Sequence, residues 1–245
     1  MAGRIELKYL IDWRQKVRLL DAYRPFLVPA PFTDEYATYP IMSLYYDSPS
    51  LRFFDEKLEG EMLRNKVRLR GYGYRWRALA PVFLEVKRKV DQRILKYRRR
   101  FERYDPSLLE PSTWPLDDLE SARDRRDAAQ VAALVHQHRL RPAVQILYQR
   151  QGFESPLFRS LRIAFDSRIV ALHPGQAAEP WVFDHPSYRV LDDTHFVFEV
   201  KSDGGLPGWV LDGLRAAQVT QRAISKYCLG IEKLGLADRE IGVYA

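Results

Sequence analysis

Cysteine is almost missing from this chain: Cys228 is the only one in 245 residues. An intramolecular disulfide is therefore excluded, and a reducing compartment is the expected setting. Cys228 lies in "SKYCLG", beside apolar residues, and reads as a buried structural thiol rather than a nucleophile. Histidine is scarce too, and the five present make no convincing metal site. His136 and His138 stand two apart on an expected helix, which sends them to different faces. No stretch approaches the ~18–20 apolar residues of a transmembrane helix. The opening "MAGRIELKYLI" lacks the apolar core of a signal peptide. The expectation is a soluble, cytoplasmic protein, with room for a membrane-protein partner at the inner face of a membrane. A glycine-rich phosphate loop is also missing, since "GYG" at 71–73 lacks both the length and the lysine. Low-complexity segments and fixed-period repeats are not found.

Positive charge is plentiful. Lys and Arg number 39 against 32 Asp and Glu, giving a net charge of +7 and a pI near 9.4. That balance favours polyanionic partners: nucleic acid, phosphates or an acidic membrane surface. The hydrophobic share of 46% and charged share of 29% are ordinary for a folded protein. The length suits one large domain or two small ones, and we read residues 1–245 as one.

"KVRLR" at 66–70 alternates charged and apolar residues, as a strand does when its two faces differ. Lys66, Arg68 and Arg70 then share a face with Arg64, and Val67 and Leu69 share the other. Further strands are expected near 4–9, 41–47, 62–72, 81–89, 93–103, 143–150, 160–170, 188–191 and 195–201. Asp12 reads as the N-cap of a helix carrying Trp13, Val17, Leu20 and Tyr23 at helical spacing. Prolines in "PFLVPAPF" end it. A short helical turn in "SPSLRFFDEKLEG" closes on Gly60. Longer helical patterns cover 116–138, with Leu116, Leu119, Val131, Leu134 and Val135 as apolar positions, then 207–218 and 225–234. Tyr45 and Tyr46 read as packed strand residues, and Trp114, Trp181 and Trp209 as core or cover. The sum is an α+β domain built on an antiparallel sheet or barrel of about eight strands with peripheral helices.

One pattern returns three times: Glu6 and Lys8 in "RIELKY", Glu85 and Lys87 in "VFLEVKRKV", Glu199 and Lys201 in "FVFEVKS". Each pair shares a strand face and has apolar neighbours on the other. Arg162 and Asp166 in "RIAFD" share a face as well, and Arg150 ends "VQILYQR". A single charged face is ordinarily a solvated one. Several together suit a closed sheet with a polar interior and a helix-covered exterior. Cations crowded there repel unless a polyanion neutralises them. Carboxylates among them can hold a divalent metal through oxygen ligands. Cations, metal and alignment are what phosphoryl transfer requires. Nucleic acid fits less well, because the cations sit among carboxylates rather than in a continuous basic stripe with stacking aromatics.

"RIELKY", "LYYDSPSLRFFDEKLEG", "RNKVRLRGY", "FLEVKRK", "ILKYRRR", "ILYQR", "LRIAFD", "FEVKSDGGLPGW" and "ISKYCLG" occur in an order that resembles the VTC domain, the catalytic domain of the vacuolar transporter chaperone, which has many bacterial relatives. The resemblance runs from about residue 4 to about 231. It implies the triphosphate tunnel metalloenzyme (CYTH-like) fold, an eight-stranded antiparallel β-tunnel. It further implies transfer of the γ-phosphate of ATP to inorganic polyphosphate with Mn²⁺ or Mg²⁺. By position, it gives Lys8, Arg68, Arg70, Lys87, Lys96, Arg150 and Arg162 as tunnel-lining phosphate ligands. Glu199 follows as the main metal ligand, with Glu6 and Glu85 as further candidates. Lys201, Ser225 and Lys226 follow as contacts to the phosphate chain. Arg68, Arg70, Lys87 and Glu199 are the expected catalytic set. Ala223 departs from the family, which often carries a basic residue two positions before the serine of "SKY". The competing readings are a tunnel triphosphatase with water as acceptor, and a non-catalytic polyanion-binding module.

Overall fold

The computed structural model describes residues 4–31, 38–79, 81–90, 93–116 and 122–237. Its strands are β1 (Arg4–Asp12), β2 (Val28–Pro29), β3 (Thr38–Asp47), β4 (Leu63–Tyr72), β5 (Val82–Val90), β6 (Arg93–Phe101), β7 (Arg141–Glu154), β8 (Arg162–Leu172) and β9 (His195–Asp203). Its helices are α1 (Trp13–Tyr23), α2 (Arg52–Leu58), α3 (Ala122–His138), α4 (Gly208–Ala216) and α5 (Lys226–Lys233). Hydrogen bonding orders the strands β1-β9-β8-β7-β3-β4-β5-β6, with β2 on β7. The ladders β1–β9, β8–β9, β2–β7, β3–β4, β4–β5 and β5–β6 are antiparallel. The sheet and its peripheral helices are those the alternating sequence called for. The chain divides into two compact units, each assembled from separate stretches of sequence.

The first unit comprises Met1–Pro40, Tyr148–Ile169 and Arg189–Ser225. Alternate residues of β1, β8 and β9 bury one face: Tyr9, Ile11, Phe165, Phe198 and Val200. α1 covers it with Leu19 and Tyr23, and α4 with Val210. α1 starts where expected. The Asp12 carboxylate accepts the Gln15 backbone N–H at 2.8 Å, and the Gln15 side chain accepts the Asp12 N–H at 3.1 Å, a reciprocal capping box. The Tyr23 hydroxyl donates to the Val210 carbonyl at 2.9 Å. This contact needs Gly213, because a Cβ there would overlap the Tyr23 ring.

The second unit comprises Ile41–Leu147, Val170–Tyr188 and Lys226–Ala245. Here Val67, Leu69, Leu84, Val86 and Tyr97 line the buried face, against Val131, Leu134 and Val135 of α3 and against Val182 and Phe183. Asp47 is fully buried and organises the end of β3. Its carboxylate accepts backbone N–H groups from Ser48, Phe53 and Phe54 at 2.6, 2.9 and 3.0 Å, and the Tyr227 hydroxyl of α5 also donates to it. The "LYYD…RFF" and "SKY" segments, 180 residues apart, are thereby tied together.

Three local expectations need correction. Residues 188–191 do not form a strand: a 3-10 turn occupies Pro186–Tyr188, and the Val190 N–H reaches the Ile169 carbonyl at 2.8 Å. Pro186 fixes φ and favours the turn over an extended start. Trp181 is neither core nor cover, being 53% exposed beside His185 and Tyr188. Tyr45 packs as expected for a strand residue, 3% exposed against the Tyr227 ring, and does so on the charged face of the sheet. The helix expected at 116–138 is Ala122–His138, and Leu119 lies outside the described residues.

Candidate functional site

The charged faces fall into two clusters, one in each unit. In the second unit, antiparallel register sets side chains abreast in rows on the face opposite the core. Lys66, Lys87 and Lys96 form one row. Tyr45, Arg68, Glu85 and Arg98 form the next. Ser43, Arg70, Phe83 and Arg100 form the one after. Arg64 and Lys89 pair beyond the lysine row. Among the described residues of β4, β5 and β6, this face carries nine cations and one carboxylate, Glu85. Like charges directly opposite in a sheet destabilise it. A row of three lysines is therefore a poor way to build a water-facing surface and a good way to hold a polyanion.

Glu85 ties the arginines together. Its Oε2 accepts from Arg68 Nε at 2.7 Å and lies 3.8 Å from Arg70 Nε, while its Oε1 lies 3.3 Å from Arg98 Nε. Burial pushes the carboxyl up, but Arg68, Arg70 and Arg98 outweigh it and hold Glu85 down at about 2. Arg68 Nη1 also donates to the Tyr45 hydroxyl at 3.2 Å. Lys87 and Lys96 are exposed. The contribution of Arg98 and Arg100 was readable in the alternation of "ILKYRRR", yet only register sets Arg98 opposite Glu85 and Arg100 opposite Phe83.

In the first unit, Glu199 is the hub. Its side chain is 6% exposed, and its Oε2 accepts from Lys201 Nζ at 2.8 Å and Arg150 Nη2 at 3.2 Å. Lys8 Nζ lies 3.6 Å from Glu199 Oε1 and 3.3 Å from Glu6 Oε1. Arg150 forks onto the fully buried Asp166, at 2.6 and 2.7 Å, the bidentate geometry that fits guanidinium to carboxylate. Burial alone would lower the Arg150 pKa, but Asp166 first and Glu199 after it raise it well above the usual arginine value. Burial lowers the Lys201 pKa. Arg162 shares the row of Lys201 and Glu6 but turns outward, 65% exposed, toward Glu154 at 3.5 Å. Ser225 directly precedes α5, whose first residue, Lys226, is buried.

Among the described residues, no group of three or more His, Cys, Asp or Glu stands ready to hold a metal ion. Glu6 and Glu199 nevertheless form an all-oxygen pair with a cation, the Lys8 ammonium, already held by both. Mg²⁺ commonly takes one or two carboxylates and completes its shell with substrate phosphates and water. The pair fits such an ion. Glu85, like Glu199, is held by three cations, but it is the lone carboxylate among the described residues of its face and offers no such pair.

The VTC domain profile matches residues 3–235. The chain belongs to the VTC domain family. A Bacillus halodurans protein, provisionally named an adenylate cyclase, superposes with a TM-score of 0.50 at 11% identity, covering 91% of this chain and 94% of its own. A Pyrococcus horikoshii protein gives 0.46 at 13% identity, covering 94% and 99%. The Mimivirus capping enzyme triphosphatase gives 0.38 at 7% identity, covering 87% and 88%. No curated protein matches. As a VTC domain, the chain has the antiparallel sheet and peripheral helices of the triphosphate tunnel fold, and the Bacillus halodurans structure shares that architecture. No helix among the described residues is long and apolar enough to cross a membrane.

Proposed function

We propose that this VTC domain is a polyphosphate polymerase, moving the γ-phosphate of ATP onto a growing inorganic polyphosphate chain. The observation that carries the reading is the row of three lysines flanked by arginines, a face with nine cations to one carboxylate. Arg68 and Arg70 hold non-bridging phosphate oxygens, and Lys66, Lys87 and Lys96 follow the chain. Lys8, Arg150 and Lys201 bind phosphate around Glu199, and Ser225 and Lys226 contact the chain, while Arg162, turned toward Glu154, stays outside that set. Glu199 and Glu6 hold a divalent ion, Mn²⁺ or Mg²⁺, as is typical of the family. Glu85 is the counter-ion that keeps the arginines in place.

In the reaction, a terminal phosphate oxygen of the chain attacks the γ-phosphorus. The bond from that phosphorus to the β,γ-bridging oxygen breaks, and ADP leaves. Guanidinium and ammonium groups already aimed at the phosphate oxygens stabilise charge without reorganising, which is the main source of rate in such transfers. The bound metal would add charge neutralisation of the transferring and leaving oxygens.

The test is incubation with ATP and Mn²⁺, following ADP, free phosphate and chain length on a gel. Chains with ADP are expected. ADP with equal free phosphate and no chains would replace the polymerase by a triphosphatase, and no turnover would leave a polyanion-binding module. Glu199→Gln keeps the shape but removes the charge, so turnover should collapse while tripolyphosphate still binds. Superimposable Mn²⁺ titrations for the variant and the native protein would remove Glu199 as metal ligand.

A further inference from the structure

Tyr45 is the odd member of the cationic face. It projects from β3 directly opposite Arg68, and it is only 3% exposed. Its hydroxyl accepts from Arg68 Nη1 at 3.2 Å, and Lys66 Nζ stands 4.9 Å from its ring centroid. Tyr46, its neighbour, points the other way and donates its hydroxyl to the Leu108 carbonyl at 2.9 Å. A buried tyrosine whose oxygen accepts from one cation, with a second over its ring, stands where neighbouring charge favours its ionised form.

We propose that Tyr45 serves as a built-in anion of the phosphate face, so that binding of a phosphate chain drives proton uptake at the Tyr45 phenolate oxygen. The proposal rests on the reading of this face as a phosphate site. With no phosphate bound, the phenolate shares with Glu85 the task of neutralising Lys66, Arg68 and Arg70. When phosphate oxygens take over those cations, the phenolate loses its stabilisation and accepts a proton from solvent. The charge of the face is thus exchanged rather than simply added.

The surroundings support this. Burial raises the phenol, but Lys66, Arg68 and Arg70, with the Arg68 hydrogen bond, outweigh it and bring Tyr45 down to about 7. β5 contributes Glu85, already committed to arginines, and Lys87. α5 contributes the Tyr227 ring, 5.3 Å from that of Tyr45, and Lys226. Asp47, on the same strand, is held by Tyr227 and three backbone N–H groups. On β7, within this unit, Arg141 turns to the Pro49 carbonyl and Gln145 to the Gln176 carbonyl. Burial raises the pKa of Tyr9, Tyr23, Tyr46, Tyr104 and Tyr227, so they do not ionise near neutrality.

The experiment is calorimetric titration of the full chain with tripolyphosphate, without metal, in buffers of differing ionisation enthalpy, alongside the tyrosinate ultraviolet band. At about pH 8 the native protein should take up roughly one proton more per bound tripolyphosphate than Tyr45→Phe does. Its affinity should fall relative to the variant by up to about tenfold per pH unit above neutrality. The free native protein should show tyrosinate absorbance rising through neutrality, and tripolyphosphate should suppress it. Tight binding with equal proton uptake in both proteins would overturn the role of Tyr45 and leave the phosphate site standing. Absence of binding to the native protein would overturn both. Should Tyr45→Phe fail to fold, the native ultraviolet titration decides: no tyrosinate below about pH 9 refutes the proposal.

Discussion

Glu85 is a single carboxylate surrounded by Arg68, Arg70 and Arg98, and its removal separates structure from function. Glu85→Gln leaves three guanidinium groups repelling one another in a half-buried setting. Breaking one member of such a network should cost about 2 kcal/mol of stability. Tripolyphosphate should return part of that loss, since its oxygens replace the missing charge. Thermal melts of the variant with and without tripolyphosphate check this; a variant as stable as the native protein would mean the arginines need no counter-ion. The pH dependence has a definite sign. Because the folded state holds Glu85 down at about 2, its contribution is complete above the ordinary carboxylate range. It fades as pH falls from there toward about 2. Acid melts of Glu85→Gln should therefore be flatter between about pH 4.5 and 2 than those of the native protein.

At the scale of the element, β4, β5 and β6 place Lys66, Lys87 and Lys96 side by side. A row of like charges costs stability, and on the proposed reading it is kept for anion affinity. Lys87→Ala should raise the stability of the anion-free protein by about 0.5 kcal/mol. It should also weaken tripolyphosphate binding several-fold and flatten its salt dependence. Denaturant melts and titrations at two ionic strengths test both halves, and loss of stability without loss of affinity would make Lys87 a structural residue. Most strands were legible in the sequence, and strict alternation fixed which residues of β4 share a face, whereas the short β2 was not foreseen and 188–191 forms no strand. The roles of the carboxylates were not legible. Glu6, Glu85 and Glu199 look alike in "IELKY", "LEVKR" and "FEVKS", but a carboxylate's role depends on what neighbouring strands bring to it. Glu85 meets arginines from β4 and β6. Glu199 meets Lys8 from β1 and Arg150 from β7. Those partners lie far away in sequence, and only register brings them together. Tyr45 packs in its strand as the sequence suggested, but the cation opposite it, Arg68, became visible only through register.

For the molecule as a whole, the net charge is +7 over 245 residues, and the face of β4, β5 and β6 carries nine cations to one carboxylate among its described residues. Binding to the folded state alone stabilises it by mass action, about 2.7 kcal/mol when ligand stands at a hundred times its dissociation constant. A chain of this length shifts its melting temperature by roughly 2–4 °C per kcal/mol. Saturating tripolyphosphate should therefore raise the midpoint by about 5–10 °C. Chloride at matched ionic strength should not, because it screens the cations without bridging them. Combining Arg68→Ala with Arg150→Ala takes one anchor from each charged cluster, and most of the tripolyphosphate shift should vanish while that of a non-phosphate stabiliser such as sucrose persists. If tripolyphosphate and matched chloride move the native midpoint equally, the charged faces act only as a diffuse positive field, and a built phosphate site is the wrong description of them.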